Sequence, residues 1–197
     1  MKPDPENDNL FPPACMPRRI GDLVPQAWKN GGGLTRVIVH HEGWRLSVAD
    51  ITQDGEFSRF PGVRRQIALL TGAGVRLCLS DGTERDVARV GEILTFSGEL
   101  GADAVLVDGP VQVVNLMHPV SCACRMDVVR AEGARGFDVP AGAAVLIVRG
   151  NWVFDGASGQ PQTGRAGDFL VLPEGAAGRL RAEEGSEDAL LYCIAPA

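Results

Sequence analysis

The chain has 197 residues, of which 45% are hydrophobic and 22% charged, and its formal net charge is −6. This length can bury a core as one large domain or as two small ones, and the acidic balance argues against nucleic acid and anionic membranes as partners. No apolar run approaches the roughly 20 residues that span a bilayer, so no membrane segment is predicted.

The N-terminal segment is rich in Pro, Asp and Asn and lacks the apolar stretch of a secretory signal. Residues 1–17 are therefore predicted to form a disordered extension. The five cysteines are an odd set without a CxxC pair, which favours free thiols in a reducing compartment. Together these features predict a cytoplasmic protein.

The first polar cluster is WKNGGGLTR, residues 28–36, which contains Lys29, Asn30 and Thr35 around three glycines. Glycine permits positive φ and has no Cβ, so successive amides could converge on an anion. A β-bulge or a tight turn would explain the same glycines. The cation and the amide directly before them favour a ligand site.

The next segment, WRLSVAD at residues 44–50, alternates in character as a strand does. Trp44, Leu46 and Val48 share one face, which is predicted to pack. Arg45 and Ser47 share the other face with Ala49, and such a face suits a polar cavity with room for a guest. A solvent-exposed strand surface is the alternative.

A loop follows at residues 54–65, DGEFSRFPGVRR. Phe57 and Phe60 would be costly to expose, so they are predicted to line the mouth of a barrel beside Ser58. Arg65 could offer its planar fork to a carboxylate, whereas the other two arginines of the loop are predicted to be solvated. Asn115 could add a donor or an acceptor from the opposite wall.

Short β-rich segments separated by Gly and Pro predict an all-β protein, and the second half of the chain repeats the first after about 76 to 78 residues. In this repeat Gly150 corresponds to Gly72, and Gly167 corresponds to Gly91. The predicted strands of the first half are residues 44–51, 66–72, 75–80, 92–96, 104–109 and 111–117. The predicted organisation is a first barrel with the pocket at 18–128, a linker at 129–142 and a second, degenerate barrel at 143–197.

The stretch GDFLVLPEG, residues 167–175, resembles the second sequence motif of cupins, small β-barrels that often hold a metal. The second half of the chain has no histidine, so the three imidazole ligands of a cupin metal site are not present there. In the first half His40 and His41 are neighbours that would point to opposite faces of a strand, and with His118 they are predicted to be partly exposed. We predict no metal and no other cofactor.

Lys29, Arg45 and Arg65 thus make a positive site in an acidic protein, and a small acidic metabolite is the predicted guest. An enzyme that acts on such a metabolite without a metal, as an isomerase or hydrolase, is the alternative. Its base would be Asp50, Asp54 or a histidine. A protein-docking role for the second barrel, including a homodimer, also stays open.

The four motifs WKNGGGLTR, WRLSVADI, DGEFSRFPGVRR and VDGPVQVVNLM, in this order and spacing, resemble the signature of the HutD/Ves family of bacterial bicupins. The resemblance runs from about Arg19 to Met126. Two departures are Arg64, where the family usually has Asp, and HPVS at 118–121, where it tends to have Thr-Arg-Arg.

The resemblance implies an RmlC-like cupin fold of two tandem β-barrels, a bicupin, with no established enzymatic activity. It also implies that an intermediate of histidine breakdown binds and adjusts the flux of that pathway. The pocket residues carried over by position are Lys29, Asn30, Thr35, Arg45, Ser47, Phe57, Ser58, Phe60, Arg65 and Asn115.

Overall fold

A computed structural model describes residues 16–40, 43–131, 135–156 and 159–196, and strands dominate these ranges. Two antiparallel sheets form the first barrel. The larger sheet has the order β2-β3-β4-β11-β6-β9, with β2 Gln26–Ala27, β3 Gly33–His40, β4 Arg45–Ile51, β11 Val111–Pro119, β6 Val63–Thr71 and β9 Ile93–Ser97. The smaller sheet has the order β5-β10-β7-β8, with β5 Gly55–Phe57, β10 Ala102–Leu106, β7 Val75–Leu79 and β8 Glu84–Val87.

The second barrel has the same plan. Its larger sheet has the order β12-β19-β14-β17-β1, with β12 Cys124–Arg130, β19 Leu190–Pro196, β14 Ala144–Arg149, β17 Asp168–Val171 and β1 Arg18–Arg19. Its smaller sheet has the order β13-β18-β15-β16, with β13 Phe137–Val139, β18 Gly178–Ala182, β15 Asn151–Gly156 and β16 Gln162–Arg165. The helix of the described ranges is one 3-10 turn, Ile20–Asp22.

The predicted two-faced character of β4 is confirmed. Leu46 and Val48 lie in an apolar layer between the two larger sheets, whereas Ala49 and Ile51 lie in the core of the first barrel. Because alternate side chains of a strand point to opposite faces, one strand serves two cores. The layers therefore stack as small sheet, large sheet, large sheet and small sheet, with apolar side chains between each pair.

The internal repeat is also visible in the backbone. Gly72 and its counterpart Gly150 both have positive φ, at 98° and 70°. Gly91 and its counterpart Gly167 have φ values of 90° and 86°. Each pair marks the same turn in the two barrels, where a residue with a Cβ would be strained.

The barrel boundaries differ from those predicted. The strand β12 pairs with β19, so the second barrel begins inside the segment assigned to the first, and the predicted linker contains the end of β12 and the strand β13. The sequence of β12 contains no Gly or Pro that would mark the passage of the chain from the first barrel to the second. The strand β1 pairs with β17 of the second barrel, and two residues are too few to show a period. Most of the predicted N-terminal extension, residues 1–15, lies outside the described residues.

One buried hydroxyl joins the barrels. Tyr192, on β19 of the second barrel, donates a hydrogen bond of 3.0 Å to the carbonyl of Leu69 on β6 of the first. The same hydroxyl accepts a bond of 2.8 Å from the backbone N–H of Gly91. The Tyr192 side chain is fully buried, so water does not replace these bonds.

We expect Tyr192→Phe to lower the free energy of unfolding by about 1–3 kcal/mol, because it leaves the partly buried N–H of Gly91 and the buried carbonyl of Leu69 without this partner. Urea denaturation measures this change. The matched control is Thr95→Val, which removes an exposed hydroxyl of β9 and should change stability by less than about 0.5 kcal/mol. Equal stability of Tyr192→Phe and the wild type would contradict a role of the hydroxyl in joining the barrels.

The described part of the chain contains no helix that is both long and apolar enough to cross a membrane.

Candidate functional site

Three adjacent strands build the floor of a cavity in the first barrel. The strand β11 lies between β4 and β6, and Met117 stands opposite Arg45 on one side and Arg65 on the other. In the next inward-facing row Asn115 stands opposite Ser47 and Ile67. Side chains in register on one face of a sheet are neighbours, so the strand pairing brings both guanidinium groups to one surface.

The cavity has a volume of about 430 Å³, which suits a small metabolite. All ten residues predicted for the pocket line it: Lys29, Asn30, Thr35, Arg45, Ser47, Phe57, Ser58, Phe60, Arg65 and Asn115. They differ in depth. Ser47, Phe57, Arg65 and Asn115 are buried, whereas Lys29, Asn30 and Ser58 are exposed at the mouth.

Arg65 is the centre of the site. Its side chain is 5% exposed, and its guanidinium carbon lies 5.1, 5.7 and 5.0 Å from the ring centroids of Phe57, Phe60 and Phe96. Its terminal nitrogens donate long hydrogen bonds, of 3.4 Å to the Ser58 carbonyl and 3.5 Å to Asn115 Oδ1. Among the described residues its Nε has no hydrogen-bond partner. The group is thus held by aromatic faces and weakly satisfied by oxygen.

Arg45 is the second cation of the floor. It is partly buried and donates to Ser47 Oγ at 3.2 Å, with Met117 Sδ at 3.9 Å. Burial lowers the pKa of Arg45, and burial followed by the charge of Arg45 lowers the pKa of Arg65 to about 10. Both groups remain cationic at neutral pH. Within the described ranges neither guanidinium makes an ion pair with a carboxylate.

The three glycines form a turn and not an anion-binding concavity, which corrects the prediction. The N–H of Gly31 donates to the Trp28 carbonyl at 3.1 Å, and that of Gly32 donates to Asn30 Oδ1 at 3.1 Å. A Cβ on Gly33 would lie 2.4 Å from the carbonyl oxygen of Asp50. The glycines thus close a turn and let β3 approach β4, because a side chain has no room there.

The turn shapes the mouth through its flanking side chains. Asn30 Nδ2 donates to the Glu56 carbonyl at 3.4 Å, which ties the turn to β5. Trp28 Nε1 donates to Thr35 Oγ1 at 2.7 Å, and the indole meets the Phe57 ring edge-on, with centroids 5.7 Å apart. Trp28 and Phe57 together therefore support the aromatic side of the cavity.

Ala49 lines the cavity as its predicted face requires, and sequence reasoning missed six residues of the lining: Ala27, Trp28, Glu56, Ile67, Val113 and Met117. A period-two signal could have found three of them, because Ile67, Val113 and Met117 lie on the inward faces of β6 and β11. The available signal for Trp28 was its position directly before the predicted site residue Lys29. Nothing in the local pattern distinguishes Ala27 or Glu56.

The histidines lie away from the cavity lining in the described structure. His40 is exposed, but His118 is 3% exposed, which corrects the prediction of a partly exposed group. His118 Nε2 lies 3.4 Å from Gln66 Nε2 and its Nδ1 lies 3.0 Å from the Pro119 carbonyl. The ring lies on the same face of β11 as Val114 and Leu116, which pack in the apolar layer between the two larger sheets. His41 falls outside the described residues. Within them no group of three or more His, Cys, Asp or Glu could hold a metal ion.

The carboxylates predicted as candidate bases do not line this cavity. Asp50 points away from it, where it pairs with Arg36 and accepts a bond of 2.7 Å from Gln112. Asp54 Oδ1 accepts a bond of 2.8 Å from the N–H of Leu106, and its side chain lies at a shallower recess beside the mouth. Neither Asp50 nor Asp54 is therefore placed to act as a base on a guest of this cavity.

The four cysteines in the described ranges are free thiols, as predicted. Burial raises the pKa of Cys124 and of Cys193 to about 12, so both are uncharged at neutral pH. The fifth, Cys15, falls outside the described residues.

Comparisons with known proteins agree with one another. The sequence model of the HutD family matches residues 21–190. An uncharacterised 21.2 kDa protein in the hutC 3′ region of Pseudomonas putida is 38% identical over 107 residues, which are 51% of this chain and 56% of that protein. Protein Ves of Escherichia fergusonii is 31% identical over 140 residues, which are 68% of this chain and 72% of that protein.

Solved structures give the same result. A conserved protein of unknown function from Pseudomonas aeruginosa has a TM-score of 0.77 at 31% identity and covers 89% of this chain and 94% of its own. The structure of HutD from Pseudomonas fluorescens, in a formate condition, has a TM-score of 0.72 at 25% identity and covers 91% and 97%. A cupin barrel protein from Leptotrichia buccalis, with a TM-score of 0.65 at 13% identity, shows the fold alone. The predicted fold of two tandem cupin barrels is confirmed.

Proposed function

The chain belongs to the HutD family, and from that premise we propose that it is a binding bicupin without a metal centre, whose first barrel holds a small carboxylate. The guest is a carboxylate or amino-acid-derived metabolite of histidine breakdown. Its occupancy of the cavity modulates that pathway.

The observation that carries this proposal is the state of Arg65. A buried guanidinium normally has a carboxylate partner, because removing a charge from water costs several kcal/mol. Arg65 has no such partner in the described structure, its Nε is unpaired, and it lines a cavity. An anion of the guest would supply the missing acceptor.

The rest of the floor fits a carboxylate. Arg45 adds a second cation, and Ser47 and Asn115 add a hydroxyl and an amide between the two guanidinium groups. An Arg–carboxylate pair is stronger and more directional than a neutral hydrogen bond. The phenylalanines around Arg65 exclude water from the pair and fix the guanidinium plane.

The link to histidine breakdown comes from the relatives. One is named for its place beside hutC, and a solved structure with 25% identity is called HutD. Neither name states a ligand. The cavity thus supports the proposed class of guest, and the family supports the proposed pathway.

We expect calorimetric titration with urocanate, formiminoglutamate, formylglutamate and glutamate to show one-site binding of at least one of them. A dissociation constant of about 1–100 μM is the expected scale for a small ligand in a cavity of this size. Histidinol and histamine, which have no carboxylate, are the control ligands and should bind at least tenfold more weakly.

Folded protein that binds none of the four acids would contradict the proposed ligand class. Equal binding of the acids and the control ligands would show that the guanidinium groups do not select the guest. The predicted cytoplasmic location and the homodimer are not addressed by this titration and stay predictions.

A further inference from the structure

Gln66 follows Arg65 on β6 and points to the opposite face, toward the second barrel. Its side chain is 6% exposed. Its Nε2 donates a hydrogen bond of 3.1 Å to the carbonyl of Cys124, and its Oε1 accepts a hydrogen bond of 2.9 Å from the N–H of Met126. One side-chain amide thus bonds to a carbonyl and an N–H of the same strand, β12.

The amide of Gln66 bonds to the free edge of β12, where the backbone of another strand would otherwise pair. The strand β12 is the last of its sheet and pairs through its backbone with β19 on one side. In a strand, residues two apart direct their backbone groups to the same edge, so Cys124 and Met126 present a carbonyl and an N–H together. Gln66 occupies that edge as the backbone of a neighbouring strand would.

Arg65 and Gln66 share a peptide unit, so the two contacts are mechanically joined. The guanidinium is placed by the β6 backbone in the cavity, and the same backbone is placed by the amide of Gln66 against β12. Tyr192 makes a second contact on the same strand, to the Leu69 carbonyl. The strand β6, which carries Arg65, is therefore held by the second barrel on the side of the sheet opposite the cavity.

We propose that Gln66 is a positioning residue through which the second barrel sets the affinity of the cavity, and through which occupancy of the cavity is transmitted to β12. This inference rests on the proposed carboxylate site and gives the second barrel a role. Binding that stiffens β6 strengthens the Gln66 contact, and loss of the contact leaves β6 less ordered and weakens binding. The effect of binding on the Gln66 contact and the effect of that contact on binding have the same coupling free energy.

The test compares Gln66→Met with Gln112→Met. Methionine has a similar length and no hydrogen-bonding amide. Gln112 lies on β11 of the same sheet and its amide bonds to Asp50 within the first barrel, so its loss removes an amide contact without touching β12. Each variant is first shown to be folded by its denaturation curve, and its affinity is then measured with the acid that the wild type binds best.

We expect Gln66→Met to weaken binding about five- to tenfold, and Gln112→Met to leave it within twofold, at the usual size of such coupling. A second readout is hydrogen exchange at the Met126 amide, with and without the acid. Bound acid should slow exchange there at least threefold in the wild type and in Gln112→Met, and should have no effect on it in Gln66→Met.

Gln66→Met with wild-type affinity would overturn the proposal, even if the variant is less stable, because the residue would then be structural only. Unchanged exchange at Met126 on saturation of the wild type would overturn the transmission to β12. Failure of the wild type to bind any acid is a different result, since it contradicts the proposed function itself.

Discussion

Replacing Arg65 by methionine is expected to weaken carboxylate binding by roughly 30-fold to 1000-fold and to make the empty protein more stable. The guanidinium is buried, it has no carboxylate partner in the described structure, and its Nε is unpaired, so the folded state carries an uncompensated charge. Exchanging buried charged groups for apolar ones of similar volume is often stabilising by about 1–4 kcal/mol. The lost contacts with three aromatic rings offset part of that gain.

We therefore expect a net rise of about 1–2 kcal/mol in the free energy of unfolding, measured by urea denaturation without ligand. For binding, loss of a charge-assisted pair inside the cavity should cost about 2–4 kcal/mol, or roughly 30-fold to 1000-fold in the dissociation constant. Stability and affinity then change in opposite directions, which is expected where a protein keeps a costly group for its function.

Arg64→Met is the matched control. Arg64 is the preceding residue of β6, it is exposed, and its side chain points away from the cavity. The same substitution there should change stability by less than about 0.5 kcal/mol and affinity by less than twofold. A destabilised Arg65→Met beside an unaffected Arg64→Met would show that the guanidinium supports the barrel, and the binding proposal would lose its main support.

The floor of the cavity was predictable because it depends on strand periodicity. Arg45 and Ser47 alternate with buried Leu46 and Val48, and this alternation alone assigns each side chain to a face. Arg65 was identified from charge and from the aromatic loop before it. These residues carry a period or an unusual chemistry, and both properties are local.

Other features depend on tertiary contacts that no local pattern records. His118 resembles a surface histidine in sequence, yet it is buried where the two barrels meet, next to Gln66. The assignment of β12 to the second barrel was missed because β12 follows β11 after only a short turn. The internal repeat does include β12 as the counterpart of β4, because β12 pairs with β19 in the second barrel as β4 pairs with β11 in the first.

The glycines of residues 31–33 show how one local pattern can fit two structures. A Gly-rich turn beside Lys29 fits an anion site and also a close approach of strands. The choice depends on where the amides point, and here Trp28 and Asn30 accept from two of them. What the glycines contribute to the site is therefore indirect: they allow the turn that places Asn30, Trp28 and Lys29 at the mouth.

Substituting the three glycines one at a time by alanine should separate these roles. Gly33→Ala is expected to lower the free energy of unfolding by about 3 kcal/mol, because the added methyl would lie 2.4 Å from the Asp50 carbonyl and 3.2 Å from the Trp28 ring. Gly31→Ala should cost about 1–2 kcal/mol, since its φ is +73°. Gly32→Ala should cost less than about 0.5 kcal/mol, since its nearest contact would be an ordinary 3.5 Å.

Urea denaturation ranks the stabilities of the three alanine variants, and titration with the acid that the wild type binds measures their affinities. Gly33→Ala should also weaken binding, because relief of the clash moves Trp28, which lines the cavity and contacts Phe57 beside Arg65. Gly32→Ala should bind as the wild type does, because its N–H still donates to Asn30. If Gly32→Ala instead weakened binding while Gly33→Ala were well tolerated, the added methyl of residue 32 would have to meet the ligand directly, which would contradict a purely indirect role of the glycines.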